Sequence, residues 1–102
     1  MSENQIAYKI LTQAEWGEFI QYMEFEGSEV DFEDGFIHMS TADQVQETLH
    51  KHFNGGGAVV IVKLSLEREG LDLKWEVSRN NEKFPHAYAD LKMDDVLSYQ
   101  TI

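Results

Sequence analysis

The chain has no cysteine, a single proline, and only 8 lysines and arginines against 19 acidic residues. Without cysteine there is no disulfide, no thiolate metal site and no cysteine nucleophile, and nothing points to an oxidising compartment. A formal charge of −11 repels a phosphate backbone and offers no counterion release on binding one, so DNA and long RNA are not expected partners. Long apolar runs are missing too. The longest, "AVVIV" at 58–62, falls far short of the roughly 20 residues a membrane helix needs. The opening "MSEN" has neither the basic nor the apolar region of a secretion signal. A cytoplasmic protein with no membrane partner is the expectation.

What is present is a globular composition. With 42% hydrophobic and 12% aromatic residues the chain belongs with ordered proteins, despite its charge. Its 102 residues suit one domain over 1–102 with a modest core, and leave no room for a separate cofactor domain.

Residues 7–11, "AYKIL", read as a short strand. In the "TQAEWGEFIQYM" that follows, Trp16, Phe19, Ile20 and Met23 fall at i, i+3, i+4 and i+7 and form one apolar helix face. Thr12 and Glu15 have the spacing of a capping box, which satisfies two orphan amides and fixes the helix start. Residues 25–35 are acidic and contain Gly27 and "EDG", the pattern of a loop ending in a turn. Beyond the next strand, Ala42, Val45, Leu49 and Phe53 recur at helical spacing, with Thr41 and Gln44 as a second capping box, predicting a helix over 42–53. "NGGG" at 54–57 stops it, and "AVVIVKL" has the β-branched character of a central strand. Leu71, Leu73, Trp75 and Val77 alternate with Asp72, Lys74 and Glu76, a half-buried strand. "SRNNEKFP" reads as a loop, "HAY" follows, and "VLSYQTI" forms a last strand.

Two stretches carry polar side chains where a strand needs none. In "DGFIHMST" (34–41), alternation sends Phe36, His38 and Ser40 one way and Ile37 and Met39 the other. In "FPHAY" (84–88) the same rule aligns Phe84, His86 and Tyr88, and Pro85 keeps Phe84 extended. If the strips face each other, they enclose two imidazoles and two hydroxyls between aromatic walls, a pocket for a small polar ligand with a planar ring. The alternative is structural: each histidine satisfied by a backbone carbonyl, and Ser40 and Thr41 acting as helix caps. In "KWEVSR" (74–79), Trp75 joins the Leu73/Val77 face while Glu76 points away from it. Glu76 and Arg79 either pair at the surface, which the weakness of such pairs favours, or give a cleft an acid and an anion-binding fork. No metal site is expected. His50 and His52 lie two apart on a helix and cannot share an ion, "DFEDG" lacks a calcium register, and "GGG" lacks the lysine of a phosphate loop.

"YKIL", "GS" at 27–28, "DGFIHMST", "HF" at 52–53, "LKWE", "SR" and "FPHAY" occur here in an order that resembles the family called domain of unknown function 952. The likeness covers roughly residues 7–101, and the pairing of "DGFIH-x-ST" with "FPH-x-Y" is its most specific part. That family is grouped with the ADP-ribosyltransferase-like superfamily. The resemblance implies an α+β fold of small, mostly antiparallel sheets with two main helices, meeting at a cleft for NAD. "FIHMS" is also similar to the H-x-S strand of the RNA 2′-phosphotransferase branch. By that resemblance NAD or a related nucleotide would be the substrate, and no other cofactor is implied. His38, His86 and Glu76 would be catalytic, with His86 or Glu76 stabilising a cationic transition state. Lys9 on the first strand, Ser40, Thr41, Arg79 and Tyr88 would bind the ligand, Tyr88 by stacking. Relatives in the superfamily place a His or Arg on the first strand and a Glu late, where this chain has Lys9 and the His86/Tyr88 pair. A binding domain without turnover, or a protein-interaction module, is the competing expectation.

Overall fold

The computed structural model describes residues 5–53, 58–78 and 81–102, the side chains of residues 52 and 53 excepted. Strand β1 (Ile6–Thr12) runs directly into helix α1 (Gln13–Tyr22), and the expected capping box marks the junction. The Thr12 hydroxyl accepts from the Glu15 N–H at 3.1 Å and the Glu15 carboxylate accepts from the Thr12 N–H at 2.9 Å, an arrangement worth about 1 kcal/mol. Next come β2 (Glu24–Phe25), α2 (Glu29–Asp34), β3 (Ile37–His38) and α3 (Val45–Phe53). The second half holds β4 (Val59–Ser65), β5 (Leu73–Val77), β6 (Lys83–Ala87), β7 (Leu91–Lys92) and β8 (Val96–Thr101).

The strands form three antiparallel sheets, in the orders β1-β4-β8, β2-β7 and β3-β6-β5. The fold is α+β, built on small antiparallel sheets as expected. Strand β4 is the centre of its sheet because both of its faces are apolar. Val60, Val62 and Leu64 enter the main core with Leu11, Phe19 and Leu71, while Val59 and Ile61 join a smaller core with Ile10 and Val45. The first and third sheets meet at one bridge, where Tyr8 N–H donates to the Ser40 carbonyl at 2.7 Å and Ser40 N–H to that of Tyr8 at 2.9 Å.

Three local expectations need correction. Residues 25–35 are not a loop: they hold β2 and the short helix α2. The helix starts because the Asp31 carboxylate accepts from the Ser28 N–H at 2.9 Å, and it ends at Gly35, whose φ of 85° is the left-handed value that glycine adopts without strain. The apolar face of α1 is narrower than its spacing predicted. Trp16 and Phe19 are buried, but Ile20 is 49% exposed. The second long helix begins at Val45 rather than Ala42. Only the Gln44 half of its capping box forms, with the Thr41 N–H donating to Gln44 Oε1 at 3.0 Å. The expected stop at "NGGG" lies outside the described residues.

Candidate functional site

The site lies on the face of the β3-β6-β5 sheet turned away from the main core. Ile37, Ala87, Leu73 and Trp75 occupy the core face, so alternation leaves His38, His86, Lys74 and Glu76 on the other. Within the β3–β6 ladder, His38 stands directly opposite His86. The Met39 N–H donates to the Pro85 carbonyl at 3.1 Å, which makes the histidines the non-hydrogen-bonded pair, the kind whose side chains lie closer. Pro85 is tolerated in a middle strand for the same reason. Its missing N–H would point to β3 beside Met39, one residue beyond where β3 ends. The two polar strips are therefore neighbours within one sheet, not walls across a cleft.

Each imidazole is held at Nδ1 by a carboxylate. His38 Nδ1 lies 2.7 Å from Asp31 Oδ1 and the His38 N–H donates to the same oxygen at 3.1 Å. Asp31, 3% exposed, also takes the Lys9 ammonium at 2.9 Å. Burial alone would raise the Asp31 pKa. The His38 bond, the Lys9 charge and the Ser28 amide outweigh it and hold the carboxyl well below the usual carboxylate range. On the other side of the ring, His38 Nε2 is 2.9 Å from Asp34 Oδ2 at the end of α2. A neutral imidazole can donate to only one of these two carboxylates, so both bonds exist together only when both ring nitrogens carry hydrogen.

His86, 4% exposed, places Nδ1 at 2.8 Å from Glu76 Oε1. The same oxygen accepts from the Tyr88 hydroxyl at 2.6 Å. These bonds, Tyr88 first, lower the Glu76 pKa, and the Glu76 carboxylate in turn pushes the Tyr88 phenol up to about 12. Phe36 ties the two dyads together. Its ring stacks on His86 at 4.1 Å between centroids and lies 4.6 Å from His38 and 5.3 Å from Tyr88. The cluster thus has two oriented imidazoles, three carboxylates, a phenol and an aromatic cover, the parts of general acid–base chemistry beside a planar group.

Of the residues singled out from sequence, His38, His86, Glu76 and Tyr88 come together. Pointing away from Trp75 is what aims Glu76 at His86. Lys9 stands behind Asp31, buried on the main-core face of β1. Ser40 does not share the His38 surface: β3 ends at His38, the chain turns to bridge Tyr8, and the Ser40 hydroxyl meets Thr48 Oγ1 of α3 at 3.1 Å. Thr41 is engaged through its backbone at the start of α3. Arg79 lies outside the described residues. Sequence reasoning missed Asp31 and Asp34. Their signal was present in the spacing Ser28-x-x-Asp31, a capping pattern with Asp in place of the usual Glu or Gln.

Comparison with known proteins agrees with this architecture. The crystal structure of protein CC0527 from Caulobacter crescentus superimposes with a TM-score of 0.89 at 44% sequence identity, covering 94% of this chain and 84% of that one. The solution structure of the same protein gives a TM-score of 0.81 at 44% identity, over 93% and 82% of the two chains. No functionally curated protein matches the chain. A family model described as protein of unknown function (DUF952) matches residues 10–99, and the chain belongs to that family.

Proposed function

We propose that the cluster binds NAD or a related nucleotide and cleaves the bond between its ribose and its nicotinamide, passing ADP-ribose to water or to another acceptor. The observation that carries this reading is the pairing of His38 with His86, each imidazole fixed at Nδ1 by a carboxylate. In such a cleavage the C1′–N bond breaks and its electron pair leaves with nicotinamide, which becomes neutral. The ribosyl cation is captured by the acceptor oxygen, and the acceptor's proton passes to a base. Glu76, the partly exposed carboxylate beside His86, faces that cation, Phe36 and Tyr88 flank a planar ring, and a histidine takes the proton. The resemblance to ADP-ribosyltransferases supports the nucleotide, and the charge of −11 favours a small acceptor over RNA.

Thermal melting with NAD, ADP-ribose and nicotinamide, on the wild type and on His38→Gln and His86→Gln, tests the reading. NAD should raise the melting temperature of the wild type alone, and chromatography should show nicotinamide released by the wild type alone. No shift with any of the three compounds overturns it. A second reading, binding without turnover, has its own support: His38 Nε2 is already engaged by Asp34. A shift with NAD and no released nicotinamide identifies that case.

A further inference from the structure

Beside the histidine cluster, between the end of α2 and the segment after β6, lies a cavity of about 170 Å³. Its lining residues include the aromatics Phe32, Phe36 and Tyr88 and the acids Glu26, Asp31 and Asp90. Among the described residues no lysine, arginine or histidine lines it. The geometry points to a binding site for an organic cation, a substituted ammonium group seated against the rings with its charge facing the acids.

Phe32 is the first support. It is 63% exposed on α2, where the core makes no use of its ring, yet it forms one side of this cavity. An aromatic face attracts a cation through its quadrupole, and carboxylates at the rim reinforce that field. Tyr88 already holds a cation in this molecule, since the Lys74 ammonium stands 4.4 Å from its ring centre, although Lys74 does not line the cavity. The acids divide by role. Asp31 is neutralised by Lys9 and belongs to the His38 dyad, whereas the Glu26 and Asp90 side chains pair with no cation among the described residues. Two negative charges beside a concave aromatic surface disfavour an anion and leave a neutral ring without its best partner. The inference shares Phe36 and Tyr88 with the nucleotide reading but does not depend on it, because it uses the cavity and neither histidine.

Choline and its uncharged isostere 3,3-dimethylbutan-1-ol differ in charge and little in shape, which makes them suitable probes. Titration of the full chain, followed by protein NMR shifts, should show saturable binding of choline at residues of the cavity. The isostere should bind at least about tenfold more weakly, as should choline to Phe32→Ala or Glu26→Gln. Both substituted side chains are exposed, so the melting temperatures should match the wild type and weakened binding is not a folding defect. Equal binding of the two probes, no saturable binding of choline, or unchanged binding in both variants overturns the proposal. Choline binding without any response to NAD upholds it while removing the nucleotide reading, and the converse result does the opposite.

Discussion

His38 and His86 stand directly opposite each other across the β3–β6 ladder, with ring centroids 5.5 Å apart and planes at 69°. The contact is edge to face. Strand pairing sets the spacing of the rings, and their orientation comes from elsewhere. Asp31 arrives from α2 to hold one Nδ1, and Glu76 arrives from β5 to hold the other. Each dyad therefore draws on a different element, and only the finished sheet assembles both.

The Lys9–Asp31 pair is the buried link between the core and the site, and the two ends of this pair are not equivalent. Asp31→Asn leaves the Lys9 ammonium buried without a counter-charge, which should cost about 3–5 kcal/mol. Lys9→Met leaves Asp31 its bonds from His38 Nδ1 and from the His38 and Ser28 amides, and should cost less. The double variant should be more stable than Asp31→Asn alone, since it removes the orphaned charge. Urea unfolding of the three proteins checks this, and strictly additive losses would contradict the pairing.

Much of the site was legible because strand alternation is a strict rule. Phe36, His38, His86, Tyr88 and Glu76 could all be placed on faces from their numbers alone. What alternation cannot give is where a strand stops. Alternation puts Ser40 on the His38 surface, but β3 ends at His38 and the Ser40 hydroxyl meets Thr48 on α3. Nor does it say which strands become neighbours, so the histidine strips read as opposing walls when they are adjacent in one sheet. Asp31 stayed hidden because residues 25–35 looked like an acidic loop. A helix of six residues is too short to show periodicity, and the partners that explain its buried carboxylate include Lys9, 22 positions away, and His38, seven positions away.

If the Ser40 hydroxyl serves α3 and not a ligand, Ser40→Ala should separate stability from binding. Loss of the bond to Thr48 should cost about 1 kcal/mol in chemical unfolding. The response of the melting temperature to NAD, measured as a shift relative to each protein's own baseline, should be unchanged. A selective loss of that response would return Ser40 to the ligand site.

Acid should act on the Asp31 cluster in a defined direction. The folded pKa of Asp31 is depressed, so its contribution to stability is present above the unfolded value of about 3.9 and is lost as pH falls through the folded value below it. The free energy of unfolding should thus fall steadily on acidification below about pH 4, and the slope should be shallower in Asp31→Asn, which has no proton to bind. Parallel acid limbs in the two proteins would show that Asp31 does not carry the effect.

Tyr88 gives the complementary test at high pH, on a group that can be observed directly. Its phenol is pushed up to about 12, first by the bond to Glu76 and then by desolvation and the Glu76 charge. A folded pKa raised in this way means that the neutral phenol is favoured. The stabilisation is present below the unfolded value of about 10 and is lost as pH rises through the folded value. Tyrosinate absorbance of the wild type minus that of Tyr88→Phe isolates this phenol from Tyr8, Tyr22 and Tyr99. The difference curve should titrate about two units above an ordinary tyrosine, and in Glu76→Gln it should move down towards about 10. That variant also takes the carboxylate from His86 Nδ1, so the same protein should lose the NAD response if the dyad orients the ring for ligand. A lowered phenol titration with an intact NAD response would confine Glu76 to holding Tyr88 in place.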